Sequence, residues 1–493
     1  MKVTLALLGL VLMAQEGLAV DSSKNLRQVR TYMPYSVPID PVKMVLIPDM
    51  DLSYALGGTL VEWGKRKEFA PGVAKRWEEI DEKTIRFTIR DGLKWSDGSV
   101  VTSIQIKQSF ERALKKYPDD LRSLAKLLSE IRCPSASTVD FVLSVPAKDS
   151  GLIGKLTEPN YGVLKVTNPG EIDLNVTTGP FYIEKQDKDG LTLKRNPNWY
   201  HANTEMPEEV VIRRPGSDFD SETILLKDSW ANLIETSSMI RAESLAAYQK
   251  GHFQIWKRPL DKMGVFQLGK SAANADGFAL LRYLRKNFDR KKLFQGLDGF
   301  EVTAQAFPRG YQLHDLHFKC DESDAKLPEK YKKNPVRVLL SPARINSILR
   351  ANLESEIERV TGVKPVIVSI PLQEVGSRRK GIDYDFYAGT IGMADPDPEG
   401  IMSYYFEGDL PMVPPSAENY VAKLDQARKE PDREKRLKLM TAIMTDATCK
   451  GHTLPLYHLS TVGIGRPELD FSNVPLTDES ITLSKIRFKT GAK

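Results

Sequence analysis

Cysteine is scarce in this chain. Three cysteines, Cys133, Cys320 and Cys449, occur among 493 residues, and their spacing matches no metal site. One disulfide with one free thiol is compatible with an oxidising compartment, but the sequence does not select the pair. Three buried, unpaired thiols are the simpler interpretation and the one we expect.

Long apolar runs are also lacking, except at the amino terminus. Lys2 gives a short basic region, residues 3–13 are almost wholly apolar, and small residues precede a cleavage position after Ala19. This order is typical of a secretory signal peptide over residues 1–19. About eleven apolar residues are too few for a transmembrane helix, which needs roughly 20. No cysteine follows the run to carry a lipid anchor, so we predict an exported, periplasmic protein.

A strong net charge is absent too. The 70 Lys and Arg residues against 65 Asp and Glu residues leave a formal charge of +5. No dense basic stripe with interleaved aromatic residues occurs. Neither nucleic acid nor a membrane surface is therefore an expected partner.

Sequence signatures of catalysis are missing as well. His-Glu-x-x-His, Gly-x-Ser-x-Gly and a phosphate-binding glycine loop do not occur. His314 and His317 could chelate a metal on a helix, but histidines beside an aspartate are common on surfaces, and we expect no metal there. We predict that the protein is not an enzyme, with no catalytic residue and no cofactor.

The most informative part of the chain lies between residues 69 and 114. Apolar and polar residues alternate over 85–89, the pattern of a half-buried strand. Residues 96–99, Ser-Asp-Gly-Ser, are typical of a turn. Thr102 followed by Gln105 predicts a capping box at the start of a helix. The apolar face of that helix would carry Ile106, Phe110, Ala113 and Tyr117.

This stretch resembles the signature region of the bacterial extracellular solute-binding proteins of family 5, the peptide- and nickel-type receptors of ABC importers. The resemblance is carried by Arg90-Asp91-Gly92, Lys94-Trp95-Ser96-Asp97-Gly98, Thr102 and Phe110-Glu111-Arg112-Ala113. Two further runs resemble the family's "GTGPY" and "LxRNPxYW" motifs, namely residues 177–183 and 191–200. Later segments follow in the family's order: a strand at 336–340, a helix at 345–360, a buried strand at 365–370, a helix pair at 418–427 and 433–448, and a "PLY" strand at 453–458. The resemblance covers nearly all of the chain after residue 19.

The resemblance implies an α/β fold of the periplasmic-binding-protein type (type II), with two main lobes around a hinge and an extra third lobe. A chain of this length also needs more than one hydrophobic core. We predict lobe I from residues 20–62, 171–260 and 465–493, lobe II from residues 63–170, and lobe III from residues 261–464.

The stretch with most binding interest is residues 384–398, which begins as a buried strand. Gly389 and Gly392 would let a ligand backbone approach closely. In peptide-binding relatives, an aspartate in the following turn pairs with the ligand's α-amino group. An alignment without gaps places Ala394 at that position, whereas a one-residue shift places Asp395 there, and both alignments remain open. If Asp395 is not the anchor, it caps the turn.

The resemblance also places aromatic residues near the ligand cleft. Tyr54 lies there by resemblance, and Tyr404 follows the acidic turn beside two aromatic residues that include core positions. Trp95 is expected to be structural. The predicted substrate-binding residues are Asp395, Met393, Gly392, Tyr54 and Tyr404.

The family resemblance predicts a secreted, monomeric receptor that captures short peptides and delivers them to the permease subunits of an ABC transporter. Another small solute is an alternative, such as a nickel chelate, a glycan or an amine. A peptide-sensing or chaperone-like binder is a further alternative. A secreted hydrolase would require a spatial Ser/His/Asp or metal cluster.

Overall fold

The computed structural model describes residues 24–29, 39–43, 47–64, 68–118, 121–168, 170–187, 190–213, 224–227, 230–236, 240–298, 300–303, 305, 307, 317, 319–341, 347–370, 381–391, 398–407, 413, 418–474 and 482–489. Within these residues, helices and strands mix along the whole chain. The helices are α1 (Ile47–Leu56), α2 (Ser103–Lys116), α3 (Arg122–Leu127), α4 (Leu152–Lys155), α5 (Ile224–Lys227), α6 (Ala242–Lys250), α7 (Ala275–Asn287), α8 (Arg290–Leu293), α9 (Glu329–Lys333), α10 (Ser347–Thr361), α11 (Pro398–Phe406), α12 (Tyr420–Arg428) and α13 (Arg433–Cys449).

The strands alternate with these helices. In the first half of the chain they are β1 (Asn25–Val29), β2 (Val61–Trp63), β3 (Phe69–Pro71), β4 (Ala74–Asp81), β5 (Thr84–Ile89), β6 (Leu128–Ser135), β7 (Thr138–Leu143), β8 (Leu164–Val166), β9 (Ile172–Thr177), β10 (Phe181–Asp187), β11 (Gly190–Arg195), β12 (Glu209–Arg213), β13 (Leu233–Thr236) and β14 (Ile240–Arg241). The others are β15 (Gln254–Leu268), β16 (Leu297–Asp298), β17 (Phe300–Val302), β18 (Arg337–Leu340), β19 (Val366–Ser369), β20 (Phe386–Ile391), β21 (Thr453–Gly465), β22 (Leu469–Asp470) and β23 (Arg487–Phe488).

Most strands belong to one large mixed sheet. Its strand order is β10-β11-β12-β1-β13-β21-β15-β20-β18-β19, with β17 paired to β21 outside this path. The strands β1, β12 and β13 are parallel to one another, as are β18, β19 and β20. The long strands β15 and β21 lie between these two parallel groups and pair with each other. They therefore join the lobe I and lobe III halves of the sheet.

Lobe II contributes a separate antiparallel sheet with the order β4-β5-β7-β6. Its strand β5 alternates as the sequence predicts, and Phe87 and Phe141 pack edge to face at 5.3 Å. The predicted capping box opens α2, because the backbone N–H of Thr102 donates to Gln105 Oε1 at 2.9 Å. Phe110 from α2 packs on the same Phe141 ring. One apolar face of the helix thus covers one face of the sheet.

The buried apolar residues form several distinct cores. One lies in lobe II and includes Phe87, Trp95 and Phe141, together with Leu60 and Val61 from the end of the first lobe I segment. Another is built mainly from lobe I residues such as Leu26, Phe181 and Trp256. Two more lie in lobe III, one around Phe266, Leu284 and Phe386 and the other around Met263, Tyr405 and Met444. The exact lobe boundaries stay a prediction.

Two expectations are wrong. Strand β19 is not buried: Val366 is 44% exposed, because β19 is the edge strand of the large sheet. The cysteines are not three unpaired thiols either. Cys320 and Cys449 form a disulfide with an S–S distance of 1.99 Å, which links the end of α13 to a loop 129 residues earlier. Cys133 on β6 is free and only partly buried.

Candidate functional site in the crossing strands

The two crossing strands, β15 and β21, define the candidate site. They pair antiparallel from Gln254 opposite Gly465 to Gln267 opposite Thr453. The register shifts between Arg258 and Lys262, which is where the strands pass from the lobe I half of the sheet to the lobe III half. An irregularity of this kind bends the strand and re-aims its side chains. The break lies between the two parallel groups of strands in the large sheet.

Polar side chains are buried at this break. Lys262, His458, Ser460 and Thr461 are each no more than 1% exposed, and we call these four residues the polar band. Apolar residues surround the band along both strands, with Val462 and Ile464 on the lobe I side and Met263 and Val265 on the lobe III side. Burying polar groups costs free energy unless they are bonded, and burying a charge costs more. The band therefore concentrates four buried polar side chains where the two strands cross.

His458 has a defined role within the band. Its Nε2 lies 3.1 Å from the backbone oxygen of Phe307. A carbonyl oxygen only accepts hydrogen bonds, so Nε2 must carry the proton and donate. The imidazole thereby ties strand β21 to the segment that contains Phe307.

Close backbone packing follows directly after the band. Gly264 lies opposite Tyr457, and a Cβ atom on Gly264 would come within 1.9 Å of that tyrosine ring. Glycine is thus required for the ring to cross the neighbouring strand. Gly389 was expected to leave space for a ligand backbone, and this is wrong. A Cβ on Gly389 would meet the ring of Tyr387 at 2.4 Å, so the space beside it is already filled.

The signature motifs act as scaffold between lobes I and II. Trp95 is fully buried, as predicted for a structural residue, and its Nε1 donates to Gln105 Oε1 at 3.3 Å. The side-chain amide of Asn198, in the second motif run, donates to the backbone oxygens of Trp95 and Ser96 at 3.2 Å each. The two motif runs therefore hold each other. Next to them, hydrogen bonds from Lys165 and Ser99 lower the pKa of Asp97 to about 2.

A buried ion pair forms a second junction of lobes I and II. The Arg112 and Asp40 side chains are only 4% and 7% exposed. Arg112 donates two hydrogen bonds to the Asp40 carboxylate, one at 3.1 Å from Nη1 to Oδ1 and the other from Nη2 to Oδ2. Tyr117 donates to the same carboxylate at 2.7 Å. Burial, followed by this hydrogen bond, raises the pKa of Tyr117 to about 12. Arg112 of the signature run is thus a structural residue.

The described part of the chain contains two of the five predicted site residues, Tyr54 and Tyr404. Gly392, Met393 and Asp395 lie outside the described residues. Tyr54 is half-buried on α1, and Tyr404 is 47% exposed on α11, whose neighbouring aromatic residues are buried as predicted. The polar band was not predicted. Its signal in the sequence is a lysine at the head of the strand segment Met263-Gly264-Val265-Phe266, which is otherwise free of charge.

Metal sites and membrane spans are absent from the described residues. No group of three or more His, Cys, Asp or Glu side chains there could hold a metal ion. His314 of the suspected histidine pair lies outside them, and His317 Nε2 lies 3.2 Å from the side-chain amide nitrogen of Gln305. Across the same part of the chain, each helix is too short or too polar to span a bilayer.

Known proteins resemble this chain in fold and in parts of the sequence. Residues 68–218 match the family model of the bacterial extracellular solute-binding proteins, family 5, middle region. The solved structure of the PBP AgaA in complex with agropinic acid, from A. tumefaciens R10, superposes with a TM-score of 0.74 at 20% identity, covering 94% of this chain and 99% of that one. The fold is thus of the lobed, periplasmic-binding-protein-like class.

Two curated relatives come from Escherichia coli K12. The probable D,D-dipeptide-binding periplasmic protein DdpA is 25% identical over 368 residues, which is 69% of each chain. The periplasmic murein peptide-binding protein MppA is 36% identical over 74 residues, which is 15% of this chain and 14% of that protein. With the family-model match over residues 68–218, these similarities support the resemblance to the extracellular solute-binding proteins of family 5.

Proposed function

We propose that this protein is an exported receptor that captures short peptides between lobes I and III and delivers them to the permease of an ABC transporter. The observation that carries the proposal is the polar band buried where the two crossing strands join the lobes. A ligand bound there would contact both halves of the sheet. Binding would then favour the closed arrangement, because a ligand shifts a hinge equilibrium toward the state that it contacts better.

The choice of peptides is supported by relatives. DdpA and MppA are named for binding a D,D-dipeptide and a murein peptide, and the alignment with DdpA extends over two thirds of this chain. Asp395 is the proposed anchor for the peptide's α-amino group, since a cation in a closed cleft needs an opposite charge. Gly392, Met393, Tyr54 and Tyr404 would line the same cleft.

Further parts of the proposal rest on sequence and family. The protein would be exported through the signal peptide of residues 1–19 and act as a periplasmic monomer without catalysis or a cofactor. The lobe boundaries near residues 63 and 170 belong to the same proposal. Dipeptide- and peptide-binding relatives described as periplasmic support this location.

The test is mass spectrometry of the solutes released when the exported protein is denatured, followed by calorimetric titration with the peptides found. A ladder of short peptides that rebind is the expected result. A single non-peptide compound that rebinds would refute peptide capture and favour another solute. Asp395→Asn should weaken peptide binding, whereas Asp397→Asn in the same turn serves as the control. Equal affinities of both variants and the wild type would refute the amine anchor.

A further inference from the structure

We propose that His452 is the centre of an acid-sensitive latch in lobe III. Its neutral ring holds the start of α12 against α7, and protonation of the ring releases that contact. The latch works without a bound solute, so it is separate from the proposed capture function. It would make the packing of lobe III respond to the acidity of the surroundings.

The ring of His452 is a buried contact between several elements. The residue is fully buried and lies between the end of α13 and the start of β21. Its ring centroid is 4.2 Å from that of Phe278 on α7 and 5.3 Å from that of Tyr420, the first residue of α12. Phe406, at the end of α11, packs on the same Tyr420 ring at 5.2 Å. A continuous stack of rings therefore joins α7, α12 and α11, with His452 inside it.

Aromatic packing, rather than polar bonding, holds the imidazole in place. Within the described part of the chain, neither ring nitrogen of His452 has a hydrogen-bond partner. Nε2 lies 3.6 Å from Oε2 of Glu418, which is longer than a hydrogen bond. A buried polar group without a partner costs free energy, and a buried charge costs more. The site thus tolerates a neutral imidazole better than an imidazolium.

The carboxylates near the ring are already paired with lysines. The other carboxylate oxygen of Glu418 lies 3.7 Å from Nζ of Lys450. Asp446 on α13 also pairs with Lys450, at 3.1 Å, and with Lys423 on α12, at 3.4 Å. The hydroxyl of Tyr420 donates to the same aspartate at 3.1 Å. These carboxylates therefore attract an imidazolium less than two carboxylates without cations would.

The α7 side of the junction carries cations and fixes the end of α13. Arg282 and Arg285 pair with acidic side chains within residues 321–324. Arg285 also donates hydrogen bonds to the backbone oxygens of Thr448 and Cys449. The disulfide of Cys449 ties the same end of α13 to the chain just before residue 321. Since the end of α13 is held in these ways, protonation of the ring is accommodated by movement of the start of α12.

Burial decides the response of the ring to acid. It lowers the pKa of His452 from its usual value of 6.5, and the attraction of Glu418 offsets only part of this effect. Contact between a cation and aromatic rings also returns only part of the cost of burying an ion. Stability that depends on the neutral ring is therefore full above about pH 6.5, and it is lost as the pH falls from there towards the lower native pKa.

The experiment is hydrogen exchange of the exported protein at about pH 7.5 and about pH 5.5, followed by mass spectrometry. The wild type is compared with His452→Phe, which keeps an aromatic ring but does not titrate. His452→Gln replaces this variant if it does not fold. His252→Phe is the control, because His252 is an exposed histidine in lobe I. Peptides from α12 report the latch, and peptides from α2 in lobe II are the internal reference. An NMR titration of labelled histidine in the wild type measures the pKa of His452 directly.

The expected result is a local opening confined to lobe III. After correction for the intrinsic pH dependence of exchange, the opening constant at the start of α12 should rise about five- to tenfold at the lower pH in the wild type and in His252→Phe. It should stay constant in His452→Phe, and the exchange of α2 should not change in any variant. The NMR titration should place the pKa of His452 below 6.5. The latch is overturned by the lack of a rise in the wild type, by an equal rise in His452→Phe or in α2, or by a pKa at or above 6.5.

Discussion

Arg112→Met is predicted to destabilise the junction of lobes I and II strongly. The substitution keeps the aliphatic stem but removes the two hydrogen bonds to Asp40, in a pair whose side chains are both less than 10% exposed. The Asp40 carboxylate would retain the hydrogen bond from Tyr117 and the ammonium of Lys116 at 3.9 Å. Breaking a buried pair from one side costs about 3–5 kcal/mol, because a buried charge is left behind. The remaining partners place the expected loss near the lower end, about 3 kcal/mol.

The assay is urea denaturation followed by tryptophan fluorescence, with the free energy of unfolding taken by linear extrapolation. Arg132→Met is the matched control, since Arg132 pairs with Glu130 at 2.7 Å while both side chains are more than half exposed. Exposed pairs contribute about 0–1 kcal/mol, so this control should change stability little. The double variant Arg112→Met/Asp40→Asn should lose less than the sum of the two single variants, because no unpaired charge remains.

The reasoning would be refuted if Arg112→Met cost no more than Arg132→Met. The same conclusion would follow if the double variant lost the full sum of the single losses. Either result would mean that Asp40 and Arg112 are solvated separately in the native protein. The signature arginine would then need another explanation.

Three further predictions concern stability. Cys449→Ser should lower the free energy of unfolding by about 2–5 kcal/mol in denaturation experiments, because the unfolded chain without the disulfide gains entropy. Reduction of the disulfide in the wild type should cause an equal loss. No loss of stability in either experiment would contradict the prediction. Gly264→Ala should cost about 1–3 kcal/mol or more, because the new Cβ would overpack the neighbouring ring of Tyr457. Gly381→Ala should be tolerated, since no atom lies within 4 Å of its new Cβ. Equal thermal shifts of the two variants would contradict this. The pKa of Asp97 is held near 2 first by Lys165 and then by Ser99. The stability advantage of the wild type over Asp97→Asn should therefore be full above about pH 4 and vanish as the pH falls towards 2. A difference in denaturation midpoints that stays constant with pH would be the contrary result.

Local features of the fold were predictable from the sequence because they depend on neighbours along the chain. The alternation over 85–89 predicted β5, Thr102 and Gln105 predicted the start of α2, and the helix pair α12 and α13 lies within two residues of its predicted limits. The order of the signature motifs predicted the resemblance to family 5, and residues 68–218 match the model of that family. In each case the controlling interactions join residues a few positions apart.

The candidate site was less predictable, because its residues meet only through long-range pairing. Lys262 pairs with Leu459 at the break between two strands that lie about 200 residues apart, and nothing near either residue in the chain indicates this. The proposed ligand residues around Asp395 were instead inferred from resemblance, and they stay predictions.

By itself, the sequence determined the resemblance to family 5, the alternation of helices and strands, and the scaffold motifs, since local periodicity, turn chemistry and capping depend on residues within short segments. Only the tertiary structure decided the pairing of Cys320 with Cys449, the edge position of β19 and the filling of the space beside Gly389 by Tyr387. It alone also placed Arg112 on Asp40 and buried a lysine at the crossing of the strands. Burial and pairing depend on which distant segments the folded chain brings into contact, and the pattern within one segment does not contain that information.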